Sequence, residues 1–401
     1  MEIGLNEADN LRKIEGGKFT MADNAEDVVG MGAVPLVGSE LPEPDRPLPR
    51  PLRIALISTP FLAVPPKNYG GTELILHELA EGLTEAGHEV VLFATGDSQS
   101  SAELRSLYAR AQWPPSSLQE QNHISWAMHQ VSLENFDIVH VHSACALAHA
   151  RLVADVPVIY TLHHAPLPEF SEYYQSFPDP FYVAISHRQR ELETPLPRCE
   201  VIHHGLAASR FQCVAEPKDF VCFVGRYAEC KGPHTAIDAA RLAKVPICMA
   251  GEVHPPDRAF AADQLSWRLT QAHVTEMGCI GIDRKVPLLR DARALLMPIT
   301  WEEPFGLIII EAMLSGCPVI SFPRGSAPEL IEQGVTGYLV KDVQEMAGVI
   351  RHGGVLDDFD RKACQSIARR RFGRERLVRD HLSFYRSAIE ERASIRCAAS
   401  A

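Results

Sequence analysis

No stretch of the sequence approaches the roughly 18 consecutive apolar residues of a membrane-spanning helix, so no transmembrane segment is predicted. The start lacks a basic segment followed by an apolar one, the layout of a secretory signal, and a cytoplasmic location is expected. Positive charge is in deficit: 39 Lys and Arg stand against 51 Asp and Glu, a net charge of −12 at pH 7. A protein that grips nucleic acid generally shows a basic excess or patch, so nucleic acid is not an expected partner. The ten cysteines include no CxxC spacing. They stand singly, mostly in apolar runs such as Val221-Cys222-Phe223 and Pro246-Ile247-Cys248-Met249, and read as reduced core thiols rather than a disulfide frame or a zinc knuckle. What is present is an ordinary globular composition, 46% apolar and 22% charged over 401 residues. That length suits two domains, or three.

Residues 1–51 differ from the rest. They carry ten acidic and five basic residues, and six prolines fall between Pro35 and Pro51. Proline removes backbone donors and favours extended chain, so a disordered acidic tail ending in a stiff linker is expected there. The alternative is that Met21 or Met31 begins the protein. From Arg53 onward, short apolar runs alternate with amphipathic stretches. Strands are predicted over 54–58, 89–95, 137–142, 156–162, 182–186 and 201–203. A helix is predicted over 72–86, where Leu76, Leu79, Ala80 and Leu83 recur at helical spacing before Gly87. After a break near 206–219 the series restarts, with strands over 220–225, 245–250, 295–298 and 318–321 and a helix over 233–243. The fold class is therefore α/β, with two parallel-sheet βα arrays. Such sheets bind ligands at the carboxyl ends of their strands, which puts the expected site in the cleft between the arrays. Residues 361–395 read as one or two closing helices in which Arg369, Arg370, Arg371, Arg374, Arg376 and Arg379 cluster. That cluster is either a solvated helix face or a patch for an anionic membrane surface or acidic substrate.

Three segments carry chemistry. Tyr69-Gly70-Gly71-Thr72-Glu73 joins the first strand to the first helix, where glycines let backbone N–H groups approach an anion beside a helix N-terminus. It is neither GxGxxG nor a GK[ST] P-loop; a simple tight turn is the plainer reading. Gly225-Arg226, followed by Lys231, opens the second array in the same way. A guanidinium fork and an ammonium at a strand-to-helix loop suit a diphosphate, or they are exposed loop residues. In Glu303-Pro304-Phe305-Gly306-Leu307 a loop enters a strongly apolar helix, with Glu311 about two turns inside it. A buried carboxylate must be paired or used, by an ion pair or by sugar hydroxyls. Histidines recur at strand ends as His140 with His142, His163 with His164, and His203 with His204. No known metal motif accompanies them, so a substrate or structural role is expected and no metal.

Together these segments resemble the family 4 retaining glycosyltransferases of the GT-B fold, over about residues 52–390. Pro323-Arg324-Gly325-Ser326-Ala327-Pro328-Glu329 and Gly334-Val335-Thr336-Gly337 fit the same family. The run Val64 to Glu73 with Phe93-Ala94-Thr95-Gly96-Asp97-Ser98 is similar to its bacterial UDP-glucose:tetrahydrobiopterin glucosyltransferase-like branch. The resemblance implies two Rossmann-like domains facing each other across a cleft. These are an acceptor domain over 52–206 and a nucleotide-sugar domain over 207–373, followed by a helix over 374–395 crossing back. Arg226 and Lys231 would hold the donor diphosphate, Glu311 the ribose, and Glu303 the donor-sugar hydroxyls. Phe305, Gly306 and Leu307 would face sugar and phosphates. Gly70, Gly71 and Gly225 would approach the diphosphate, and Gly281, Ile282 and Lys285 the base. His163 would stand at the reaction centre. The implied reaction is hexosyl transfer, glucose from UDP-glucose being the expected case. It would proceed with retention by front-face attack and need neither metal nor cofactor.

Readings of other classes remain open. A non-catalytic nucleotide-sugar-binding protein would give no donor turnover. A nucleotide-sugar epimerase would form product without acceptor, and a metal-dependent hydrolase would lose activity on chelation. The acceptor is unassigned: a small molecule, a glycan or a lipid-linked group. Trp113, Trp126, Phe170, Tyr173, Tyr174 and Phe177 make the loops over 97–130 and 165–180 aromatic, for stacking or for packing.

Overall fold

The computed structural model describes residues 50–67, 70–153 and 155–400. The tail expected over 1–51 lies, up to residue 49, outside the described residues, as does Tyr69 of the Gly-Gly turn.

Apolar runs buried on both faces build two parallel sheets. The first half contains β1 (Arg53–Ile57), β2 (Glu89–Phe93), β3 (Glu103–Arg105), β4 (Ile138–Val141), β5 (Val158–Thr161), β6 (Phe181–Ala184) and β7 (Cys199–Val201). They order as β3-β2-β1-β4-β5-β6-β7, every pair parallel. Ile54, Ala55, Leu56 and Ile57 show no exposed surface, which fits a central strand covered on both sides. The second half contains β8 (Val221–Val224), β9 (Ile247–Ala250), β10 (Val274–Gly278), β11 (Leu295–Met297), β12 (Val319–Ser321) and β13 (Gly337–Leu339). Their order, β10-β9-β8-β11-β12-β13, has the same logic: outward from the first strand, then back past it. Each half is a doubly wound Rossmann-like array, and its switch point opens at the carboxyl ends of β1 and β4, or of β8 and β11.

A strand occurs at each place predicted from sequence, with ends shifted by one or two residues; the strand predicted over 201–203 is displaced, and only Val201 of it lies in β7. The edge strands β3, β10 and β13 are additions. Seven helices matter here: α1 (Gly71–Glu85), α2 (Ser117–Ser132), α3 (Pro233–Ala243), α4 (Ile282–Asp291), α5 (Leu307–Leu314), α6 (Arg361–Phe372) and α7 (Arg374–Ser400).

The chain crosses between the halves twice, and the crossings are bonded to each other. Leu206 N donates to Phe372 O at 2.9 Å, and Arg374 N donates to Leu206 O at 3.0 Å. Beyond that point α7 packs on α1 of the first half. Val378 lies against Gly82, and Tyr385 Oη meets His140 Nδ1 at 2.7 Å. Beside the crossing, Glu78 is fully buried. It is tied to Arg374 Nε at 2.6 Å, Arg210 Nη1 at 2.8 Å and the Ala207 N–H at 2.9 Å. Ile75, Ile185 and Leu206 join the core of the second half, so the seam is continuous apolar packing.

The arginine cluster faces inward more than a solvated face would. Arg371 donates to the carbonyls of Glu329 and Leu330, Arg374 to Glu78, and Arg376 to the carbonyls of His203 and His204. Arg369, Arg370 and Arg379 remain exposed, as a solvated face would have them. The cysteines correct the core-thiol expectation in part. All ten are free, but only Cys222, Cys317 and Cys364 are fully buried, while Cys279 and Cys397 are exposed. No helix among the described residues is long and apolar enough to cross a membrane.

Candidate active site

The chemistry-bearing loops leave the carboxyl ends of β1, β4, β5, β8 and β11, where a doubly wound sheet exposes its strand ends. After β11 the chain runs from Trp301 to Gly306 and enters α5. Gly306 takes φ 80°, the left-handed region that a side chain resists, and turns the loop directly into the helix. The segment around Ser326 clasps that loop: Ser326 N donates to Glu303 O at 3.0 Å and its hydroxyl to Phe305 O at 2.5 Å.

Two Lys–Glu pairs stand on this scaffold. Lys231, from the loop after β8, bonds Glu303 Oε2 and lies 4.7 Å over the Trp301 ring. Trp301 Nε1 donates to the same carboxylate oxygen at 2.9 Å. Lys285 of α4 donates to Glu311 Oε1 of α5 at 2.6 Å, and Glu311 is only 2% exposed. A carboxylate that deep in an apolar helix needs its partner, and Lys285 is that partner. Gly281 caps α4, with exposed Ile282 as its first residue. Arg226 takes a different partner. Its Nε lies 3.5 Å from Asp257 Oδ2, and neither atom completes a hydrogen bond among the described residues. Gly225 N is held by Ala250 O at 3.0 Å, and no side chain closer than Phe223, at 3.8 Å, would meet a Cβ there.

The first half reaches the same loop from across the cleft. A Cβ on Gly71 would sit 3.3 Å from Leu307 Cδ1. A Cβ on Gly70 would fall 2.8 Å from Pro66 Cβ and 2.9 Å from Glu73 Oε2, so this turn admits only glycine without rearrangement. Glu73 lies beneath it. Burial pushes its carboxyl upward, against the Thr59 hydroxyl, which donates to Oε1 at 3.1 Å.

His163 sits in a column of rings. Its Nε2 meets His142 Nδ1 at 2.7 Å, and its ring stacks on His204 with centroids 5.7 Å apart. His204 in turn packs edge-on to Phe305 at 4.9 Å. Burial, and then the neighbouring His164, hold the His163 imidazole down to about 3, so at neutral pH it is uncharged.

Gly71, Glu303, Phe305, Leu307 and Lys231 are therefore assembled around one loop, and His163 connects to it through His204. Glu311, Lys285, Gly281 and Ile282 form an adjoining group on α4 and α5, and Arg226 lies with Asp257. Four participants were not singled out from sequence. Trp301 and Asp257 act only by contact, which no spacing rule registers. Glu329 accepts from the backbone N–H groups of His187 and Arg188 at 2.9 and 3.1 Å and contacts His203 Nε2 at 2.9 Å, which pins the halves together. Burial would raise its carboxyl, but these contacts hold it below the ordinary value. His187, His203 and Glu329 have ligand atoms close enough to hold a cation. That carboxylate is already committed to three N–H groups or ring nitrogens. His142, the fourth, shows in sequence only as one of a histidine pair.

The aromatic loops are mainly packing. Tyr174 is fully buried and its hydroxyl meets His164 Nε2 at 2.7 Å, while Phe170, Tyr173, Phe177 and Trp126 lie against the core of the first half. Trp113 alone of the six is largely exposed, at 68%.

Two family matches divide the chain where the halves divide. Residues 69–206 match Glycosyltransferase Family 4, and residues 208–353 match Glycosyl transferases group 1. The chain belongs to the glycosyltransferases. An uncharacterized glycosyltransferase of Methanocaldococcus jannaschii is 22% identical over 84% of this chain and 99% of its own length. A solved glycosyltransferase involved in avilamycin A biosynthesis superposes with a TM-score of 0.69 at 23% identity, covering 85% of this chain and 98% of its own. Anabaena HepE, solved in complex with UDP and glucose, gives 0.63 at 21% identity, covering 83% and 98%. These likenesses give this glycosyltransferase the GT-B fold.

Proposed function

We propose that this glycosyltransferase moves a hexose, glucose from UDP-glucose, onto an acceptor held by the 52–206 half, with retention at the anomeric carbon and without a bound metal. The donor would occupy the 207–373 half, and the helix over 374–395 would tie the two. The observation that carries this reading is the pair of Lys–Glu contacts beside the Phe305–Leu307 loop, faced by Gly71 and His204. In the free protein, Lys231 and Glu303 neutralise one another. A nucleotide sugar offers each a better partner: diphosphate oxygens for the ammonium, sugar hydroxyls for the carboxylate. Binding then exchanges one ion pair for two ligand contacts. Glu311 would take the ribose hydroxyls, and Gly281, Ile282 and Lys285 would border the base. The complex of HepE with UDP and glucose supports the choice of donor.

Departure of the nucleotide builds oxocarbenium character at the anomeric carbon and negative charge on the leaving diphosphate. Lys231, Arg226 and the N–H groups at the start of α1 and α5 would meet that growing charge. With His163 uncharged, the acceptor proton passes to the leaving phosphate oxygen during front-face attack. Closure of the cleft between the halves would exclude water and suppress donor hydrolysis. The reaction is placed in the cytoplasm, where nucleotide sugars are made.

The test is a donor screen. UDP-glucose, UDP-galactose, UDP-N-acetylglucosamine and GDP-mannose are titrated by thermal shift with nucleotide release followed, on the wild type, Arg226→Ala and Glu311→Ala, with and without EDTA. A shift for UDP-glucose alone, abolished by both substitutions and indifferent to EDTA, is expected. No shift with any donor refutes the reading. The acceptor screen then begins with a pterin, as the branch resemblance suggests, beside glycans and lipid-linked sugars.

A further inference from the structure

We infer that His142 is a positioning residue that fixes the proton of His163 on Nδ1, so that His163 faces the bound sugar as a hydrogen-bond donor. The inference rests on the placement of His163 at the reaction centre in the proposed function, but its decisive measurement does not.

The two rings share one hydrogen bond, His142 Nδ1 to His163 Nε2 at 2.7 Å. Both are neutral, because burial holds His142 well below the ordinary histidine range and His163 at about 3. Two neutral imidazoles can share that bond in two ways, and His142 Nε2 decides between them. That nitrogen is buried and without a partner among the described residues. If His142 Nδ1 accepts, Nε2 carries an N–H with nothing to receive it. If His142 Nδ1 donates, Nε2 holds only a lone pair. An orphaned buried donor is the rarer defect in folded proteins, an under-satisfied acceptor the more tolerated one. His142 Nδ1–H therefore donates, His163 Nε2 accepts, and the remaining proton of His163 sits on Nδ1, which makes no hydrogen bond among the described residues.

The surroundings hold this arrangement in place. His142 follows β4 and its N–H is bonded to Ile57 O at 3.0 Å, which fixes the backbone. Its ring lies 4.5 Å from that of His140. His140 is satisfied at both nitrogens, by Tyr385 Oη and Thr161 Oγ1, each at 2.7 Å, so it has nothing left to offer His142. His204 stacks on the other side of His163 and carries the column to Phe305. The tautomer at the sugar is thereby set from inside the first half, by a residue that need not touch substrate.

Nitrogen NMR on the full chain, labelled at histidine and assigned against His163→Gln, tests this directly. Two-bond proton–nitrogen correlations should show His163 with a protonated Nδ1 and a bare Nε2. His142→Asn, whose amide nitrogen occupies the Nδ1 position, should keep that pattern. His142→Asp, which only accepts there, should move the proton to Nε2. His142→Leu should give a mixture and lower kcat for UDP-glucose hydrolysis about tenfold, as for one lost orienting hydrogen bond, with KM little changed. His142→Asn should restore most of that loss. A wild-type spectrum with Nε2 protonated, or an unchanged tautomer in His142→Leu, overturns the inference. Should His142→Leu fail to fold, the wild-type and His142→Asn spectra decide. Should the wild type release no UDP, the donor reading fails and the nitrogen spectrum still stands.

Discussion

The two halves share a fold and treat charge in opposite ways. The second half places full charges at its strand ends and pairs them, Lys231 with Glu303 and Lys285 with Glu311. The first half places histidines there and strips them of charge: His140, His142, His163 and His204 are all pushed below their ordinary value by burial. In the proposed reading the second half meets the donor with these charged groups, and the first half meets it with the neutral imidazole of His163.

The largest test of that division is Lys231→Ala. Removing a preorganised cation from a developing diphosphate charge should lower kcat about 10²–10³-fold, read as nucleotide release. It also leaves Glu303 without its ammonium, so Lys231→Arg, which keeps the charge, should recover part of the loss. Comparable effects on kcat from His163→Gln would blur the contrast between the halves. Next, Glu311→Gln should raise the donor KM about tenfold with kcat nearly unchanged, the mark of ground-state binding. It should also lower Tm, because Lys285 loses its buried partner.

At the crossing, Glu78→Gln removes a fully buried charge from two arginines and should cost about 3 kcal/mol, measured by denaturant unfolding. The smallest expected effect concerns pH. The unfolded chain binds protons on these histidines below about 6.5, while the folded chain resists until far lower, about 3 for His163 and about 4 for His381 and His123. Their stabilising contribution is thus full above 6.5 and fades as pH falls from 6.5 toward 3. His123 is buried, and neither ring nitrogen completes a hydrogen bond among the described residues. His123→Leu should flatten the acid limb of the Tm profile slightly, and an unchanged limb would separate this residue from the effect.

Much of this was legible in the sequence, for a physical reason. A central parallel strand is buried on both faces, so it writes itself as an unbroken apolar run, and β1, β4, β5, β8 and β9 are all found that way. The edges are not so written. Glu103–Arg105 is polar and partly exposed, and Val274–Gly278 is partly or fully exposed throughout. Their pairing comes from neighbours rather than from pattern. Several strand ends were read too long because apolar residues continue into buried loops after the ladder bonds stop, as at Ile185, whose N–H turns to the Gln189 side chain. At the site, residue types that need a partner were visible, but the partners were not. The depth of Glu311 was foreseeable from its helix, whereas Lys285 as its counter-ion, Trp301 over Lys231, and Glu329 across the seam depend on distances no linear spacing encodes. The arginine cluster was half legible: Arg369, Arg370 and Arg379 form the exposed face, while Arg371 and Arg376 turn to backbone carbonyls and Arg374 to Glu78, targets that carry no sequence signature.

The bonded double crossing at Leu206 and Phe372–Arg374 also governs how such enzymes can be recombined. A chimera cut once near residue 206 would leave α7 with a foreign first half, parting Tyr385 from His140 and Arg374 from Glu78. An exchange of the second half between relatives therefore needs two junctions, one on either side of the second sheet, so that the last helix stays with the half it embraces. Genetically, the inheritable unit is not the C-terminal half of the gene but a cassette inserted into a protein whose own ends remain together.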